Sequence, residues 1–191
     1  QRQMCIRDSC GTIHYWSSIL SLDITTLVFL PGLTADHRLF DKQVKYFEGK
    51  YNIIVWDAPA HASSWPFRLD FDLFDKAKWL NGIFEKEEII KPIIIGQSMG
   101  GYVGQAYTQL YPDRIAGFIS IDSAPLQRNY VTAVEIWLLK RMEPVYAHYP
   151  WKLLLKSGTE GVATSNYGRN LMKEMMLVYD GDQHRLSLIH I

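Results

Sequence analysis

The stretch from Lys91 to Gly101 constrains the fold of this chain more than any other. A β-branched run, Ile93 to Ile95, follows Pro92 and reads as a fully buried parallel strand. Directly after it comes Gly96-Gln97-Ser98-Met99-Gly100-Gly101, a Gly-x-Ser-x-Gly pattern. Tyr102, Val103, Ala106 and Leu110 then recur at helical spacing until Tyr111-Pro112-Asp113 stops the helix. Strand, sharp turn and helix in that order form the setting of a nucleophile elbow. A serine hydroxyl attacks poorly unless its backbone presents it to a base, and a strained turn does so. Gly96 and Gly100 are expected where Cβ atoms would collide. The start of the helix aims free backbone N–H groups at the turn, so that of Met99 can serve a developing oxyanion. The pattern by itself also fits a plain glycine-rich turn; the flanking strand and helix favour Ser98 as a nucleophile.

Composition narrows the partners. The 191 residues suit one domain, or one with an insertion, and 48% apolar with 13% aromatic residues can fill a substantial core. Twenty basic and twenty acidic residues cancel, so neither nucleic acid nor an anionic membrane is an expected partner. No apolar stretch approaches the roughly 20 residues needed to span a bilayer, and a cytoplasmic setting is expected. Cys5 and Cys10 make no metal or disulfide pattern. No metal or organic cofactor is implied, because no His and carboxylate cluster has ligand spacing. Both ends, residues 1–9 and 186–191, resemble translated sequencing-adapter DNA. They are set aside as foreign, the alternatives being a frayed start and a short strand, and the gene is expected to continue past both.

Along the chain, Thr12–Trp16 alternates and reads as a first strand near a sheet edge. Thr26–Leu30 is a buried strand cut off by Pro31-Gly32; beyond a plain turn, Gly32 can let the Leu33 backbone approach a substrate carbonyl. Asp36–Phe47 reads as an amphipathic helix with Leu39, Phe40, Val44 and Phe47 inward. Tyr51–Trp56 is another buried strand. Asp57 at its end precedes the serine and reads as a cap for the following loop rather than a catalytic acid, and His61 as a brace for that loop. Asp70–Phe84 is a second amphipathic helix, with Phe71, Phe74, Ala77, Leu80 and Phe84 inward. Ile115–Ile121 is a further buried strand, ending at Asp122-Ser123-Ala124-Pro125. Strands alternating with helices imply a doubly wound, mostly parallel α/β sheet. Residues 131–142, 145–156 and 168–179 then read as three helices whose Trp and Met faces suggest a lid, or helices that simply pack on the sheet.

The Pro31-Gly32-Leu33 turn, the strand ending at Asp57, the Ser98 elbow and Tyr111-Pro112-Asp113-Arg114 leading to Asp122 together resemble the α/β-hydrolase superfamily, in its esterase-like and aminopeptidase-like members. The resemblance covers residues 11–125 well. It departs at Pro31, where many members carry His, and at Ala62, where Gly is usual. It implies an incomplete hydrolase core over residues 10–125 and a helical lid over 126–185. By this resemblance Ser98 is the nucleophile, and the N–H groups of Met99 and Leu33 form the oxyanion hole. Gly32, Gln97 and Trp137 are the substrate-binding candidates. The family's triad runs serine, acid, histidine. The acid and histidine are expected beyond this chain, which would then be nearly inactive alone. Asp122 is the alternative acid, although a bond to its own turn is the favoured reading; His148 and His184 read as surface residues.

The expected function is hydrolysis of an ester, amide or related acyl bond in a small molecule with an apolar portion, through an acyl-enzyme on Ser98. A non-catalytic ligand-binding or regulatory protein and an acyltransferase are the alternatives. The sequence carries no signal for oligomeric state.

Overall fold

The computed structural model describes residues 1–126, 137, 141, 150–161 and 163–178. Six strands form one sheet: β1 (Arg2–Asp8), β2 (Gly11–Ser18), β3 (Thr26–Leu30), β4 (Asn52–Trp56), β5 (Ile93–Gln97) and β6 (Gly117–Ile121), in the spatial order β1-β2-β4-β3-β5-β6. Strands β4, β3, β5 and β6 run parallel, while β1, β2 and β4 pair antiparallel. The central strands bury both faces, which is why they read as unbroken apolar runs.

Alternate side chains divide the core into two layers. Val28, Leu30, Ile54, Trp56 and Ile94 face α2 (Leu73–Lys86) and α3 (Met99–Leu110) through Ala77, Leu80, Phe84, Val103 and Ala106. Leu27, Phe29, Ile53, Val55 and Ile95 face Phe40 and Val44, the latter on α1 (Asp41–Phe47). Each fully buried Ile, Leu or Phe here contributes about 1.5–3 kcal/mol. A third, smaller cluster joins Met172, Met175 and Met176 of α5 (Asn166–Leu177) to Ala35, with Leu39 and with Trp151 and Leu155 of α4 (Trp151–Gly161) packed around it. No helix among the described residues is long and apolar enough to cross a membrane.

Several expectations need correction. The strand at Thr12–Trp16 does lie near an edge, one strand in, but it is covered there by a strand that was not expected: β1 pairs with it through Arg2↔Ser17 to Asp8↔Gly11, and Met4 and Ile6 pack against the core. Residues 2–8, set aside in the sequence reading, are thus a paired strand. The helix expected from Asp36 begins instead as a 3-10 turn, His37–Phe40. The Asp36 carboxylate accepts from the Arg38 backbone N–H and holds the Arg38 guanidinium, tightening the first turn. Helix α2 starts at Leu73 because Asp72 and Asp75 form a capping box. Phe71 therefore precedes the helix, and Phe74, at the margin of the inner stripe, is 38% exposed. Strand β6 is not fully buried: Phe118 packs on the core, whereas Ile119 and Ile121 face outward and are 52% and 42% exposed.

Of the three helices expected after β6, the first lies outside the described residues except for Trp137 and Arg141. The second is seen from Trp151, directly after Pro150; residues 145–149, where it was expected to start, lie outside the described residues. The third begins two residues earlier than expected, at Asn166, because the Ser165 hydroxyl caps it by accepting from the Gly168 N–H.

Candidate active site

The turn from β5 into α3 places Ser98 at φ 51° and ψ −116°, a region that non-glycine residues rarely occupy. Such strain costs on the order of 1–3 kcal/mol and persists only where surrounding contacts enforce it. They do so here. The Ser98 N–H donates to the Ile121 carbonyl at 2.8 Å, and its own carbonyl accepts from the Gly101 N–H at 2.9 Å and the Ser123 hydroxyl at 2.8 Å. A Cβ on Gly96 would strike the Gly100 backbone, and one on Gly100 would strike the Leu30 carbonyl, so only glycine allows the turn to close this tightly. The Ser98 side chain makes no capping bond to α3.

The loop after β3 runs alongside. A Cβ on Gly32 would meet the Gln97 carboxamide and lie 3.1 Å from the Ser98 Cβ. Thr34, at φ 62°, turns the chain back, and the Ala35 N–H closes the turn on the Gly32 carbonyl. Leu33, Thr34, Gln97, Ser98 and Asp122 thus line one open cleft of about 500 Å³. Leu39, Phe40, Leu171 and Met172 add apolar walls. Asp122 is exposed, at φ 54° just past β6, and is the one charged side chain among the described lining residues. No histidine is among them.

Six of the seven candidates from the sequence therefore converge: Ser98, Met99, Leu33, Gly32 and Gln97 form or adjoin the turn, and Asp122 joins them across the cleft. Trp137 is outside the described lining; it is 54% exposed with the Arg141 guanidinium 4.6 Å from its ring centre. His148 and His184 lie outside the described residues.

Asp57 is fully buried and ties two loops together. One carboxylate oxygen accepts from the His37 backbone N–H and lies 2.9 Å from His37 Nδ1; the other accepts from the Ser63 N–H at 3.0 Å. His61 sits beside it with Nδ1 2.9 Å from the Pro59 carbonyl. The His37 ring also stacks on Trp16 at 3.6 Å and does not line the Ser98 cleft. Asp36, His37 and Asp57 bring three metal-type donor atoms within 4.8 Å of one another, a grouping their sequence spacing hides. Their lone pairs are engaged: Arg38 holds Asp36, while His37 and Ser63 hold Asp57. A cation there would have to displace the guanidinium.

Lys76 was not anticipated. It lies on the inner stripe of α2, is 3% exposed, and its ammonium lies 3.3 Å from the Met99 sulfur. Burial pushes its pKa down to about 8. The only signal in the sequence was its helical phase, between Ala77 and Leu73 and on the same face as Leu80.

Against known proteins, the chain matches the profile of the alpha/beta hydrolase fold family over residues 25–176. It is 28% identical over 106 residues to 3-oxoadipate enol-lactonase 2 of Acinetobacter baylyi, an alignment spanning 53% of this chain and 38% of that protein. Among solved structures, a hydrolase from Pseudomonas aeruginosa PA01 superposes with TM-score 0.79 at 14% identity, covering 98% of this chain and 71% of that one. A thermophilic esterase from Thermogutta terrifontis superposes with TM-score 0.78 at 16% identity, covering 99% and 71%. The shared fold and the profile match lead to one conclusion: the chain belongs to the alpha/beta hydrolase fold family.

Proposed function

We propose that this chain carries the nucleophile and oxyanion hole of a serine hydrolase that opens an ester or lactone-type acyl bond. The carrying observation is the strained Ser98 at the floor of the cleft, held by four backbone and side-chain bonds while its hydroxyl caps nothing. In this reading Ser98 Oγ bonds to the substrate carbonyl carbon as a base takes its proton. The carbonyl oxygen becomes an oxyanion facing the Met99 and Leu33 N–H groups. Collapse breaks the bond to the leaving alkoxide, which takes up the proton, and water then releases the acyl group from Ser98. In a lactone the leaving alkoxide stays tethered to the acyl chain. The printed name of the Acinetobacter baylyi relative, an enol-lactonase, supports an oxygen ester over an amide.

The cleft also bears on the substrate. Its walls are Leu39, Phe40, Leu171 and Met172, which suit an apolar acyl portion of modest size. Asp122 is the acid candidate within this chain, and Gln97 and Gly32 border the reacting carbonyl. One observation favours a second reading, a binding protein that keeps the pocket without turnover: no histidine lines the cleft among the described residues.

The deciding experiment treats the protein with a fluorophosphonate and locates the adduct by peptide mass. Modification of Ser98 over hours, absent in Ser98→Ala, is the expected result. Ligand binding without any adduct favours the binding protein instead. Ester turnover by the 191-residue chain is expected to be slow and nearly unchanged by Ser98→Ala; fast turnover that the substitution abolishes would show that the base lies within the chain.

A further inference from the structure

A lysine buried without a carboxylate is costly, and the position of Lys76 makes the cost larger. Its ammonium is beside the Met99 sulfur at 3.3 Å and 5.4 Å from the centre of the Phe71 ring. Among the described residues no carboxylate pairs with it, whereas Lys78, two residues along the same helix, is exposed and bonded to Asp75. A thioether and a ring face are weak partners for a full charge. Met99 is also the first residue of α3, where the helix dipole places positive potential and disfavours a cation. A fold selected for stability alone would place leucine or methionine at this position on the inner stripe of α2.

The same features that make Lys76 unfavourable for folding suit a transition state that carries negative charge. We propose that Lys76 is a positioning residue for the Ser98 reaction: its ammonium packs Met99 from below and adds positive potential at the oxyanion hole that Met99 helps to form. This rests on Ser98 being the nucleophile. The charge acts through the Met99 side chain without touching substrate, and it works alongside the helix dipole and the backbone N–H groups, all three favouring negative charge at one point. Burial among Phe71 and Met99 keeps water from screening it. Because the ammonium loses its proton near pH 8, the assistance is present at neutral pH and fades in alkali.

The test compares rates of fluorophosphonate modification of Ser98 in the wild-type chain, Ser98→Ala, Lys76→Met and Lys76→Leu across pH 6.5–9.5. The quantity read is the ratio of wild-type to Lys76-variant rates at each pH, which cancels the pH dependence common to all the proteins, that of the serine hydroxyl included. A ratio on the order of tenfold at pH 6.5, falling towards one by pH 9.5, supports the proposal, since that corresponds to about 1.4 kcal/mol of charge stabilisation, a size that a poorly screened charge can supply across several ångströms. A ratio of one at every pH, with Ser98 modified in all three lysine-bearing and lysine-free proteins, overturns it and leaves the nucleophile reading standing. A ratio above one that does not change with pH marks a packing role and also overturns it. Failure of both Lys76 variants to fold, judged by circular dichroism, would show that the lysine is structural and overturn it as well. If Ser98→Ala is modified as fast as wild type, the nucleophile reading falls and takes this proposal with it.

Discussion

Ser98 shows how a residue can be held against its own preference. At φ 51° and ψ −116° its Cβ is strained, and glycine would occupy the same backbone more comfortably. Ser98→Gly is therefore expected to raise stability by about 1 kcal/mol in urea denaturation while removing the fluorophosphonate adduct altogether. Equal or lower stability would mean that the serine side chain makes compensating contacts. Lys76 is a second residue held at a cost, and its sign can be worked out. Its pKa falls from 10.5 in the unfolded chain to about 8 when folded. Below pH 8 both states are charged, and the folded one carries the full cost of burial. Between pH 8 and 10.5 the folded state has released the proton while the unfolded state keeps it, so stability climbs with pH. The gain over that whole range is on the order of 3 kcal/mol. Tyr15 and Tyr107 act in the opposite direction above pH 10, because burial raises both phenols. The clean window is pH 7.5 to 9.5, where wild type should gain stability relative to Lys76→Met; parallel curves would contradict the buried ammonium.

At the scale of elements, the site is made by strand ends and held by loop-to-loop bonds. The Ile121 carbonyl at the end of β6 accepts from the elbow, and the Ser123 hydroxyl donates to it, so the edge strand fixes the turn of its neighbour. Asp57 does the same one strand further away, linking the loop after β4 to the 3-10 turn after β3. Asp57→Ala leaves the His37 and Ser63 N–H groups without their acceptor. The expected loss is about 2–3 kcal/mol, read as a lower urea midpoint, with the Ser98 adduct still forming more slowly. Complete loss of the adduct in a folded Asp57→Ala protein would place Asp57 nearer the chemistry than a loop tie. The element boundaries that the sequence missed have the same origin. Asp36, Asp72 and Ser165 each offer a side-chain acceptor to nearby backbone N–H groups, which moved or tightened a helix start that apolar spacing alone did not locate.

For the whole molecule, the sheet order β1-β2-β4-β3-β5-β6 brings the loops after β3, β5 and β6 to one edge, so Leu33, Ser98 and Asp122 meet although 89 residues separate the first from the last. The methionine face of α5 docks on Ala35 and packs with Leu39, closing one side of the same cleft. Much of this was legible in the chain itself. Buried strands declare themselves as β-branched runs, and the Ser98 turn declares itself by glycines at the two places where no Cβ fits; both are local consequences of residue type. Only the tertiary structure decided what depends on neighbours distant in sequence. It paired β1 with β2, left one face of β6 uncovered among the described residues, drew Asp36, His37 and Asp57 together, and turned the lysine of α2 inward beneath Met99. A charge on a helix carries no local mark of what it faces, because burial is set by the packing of the sheet and helices around it.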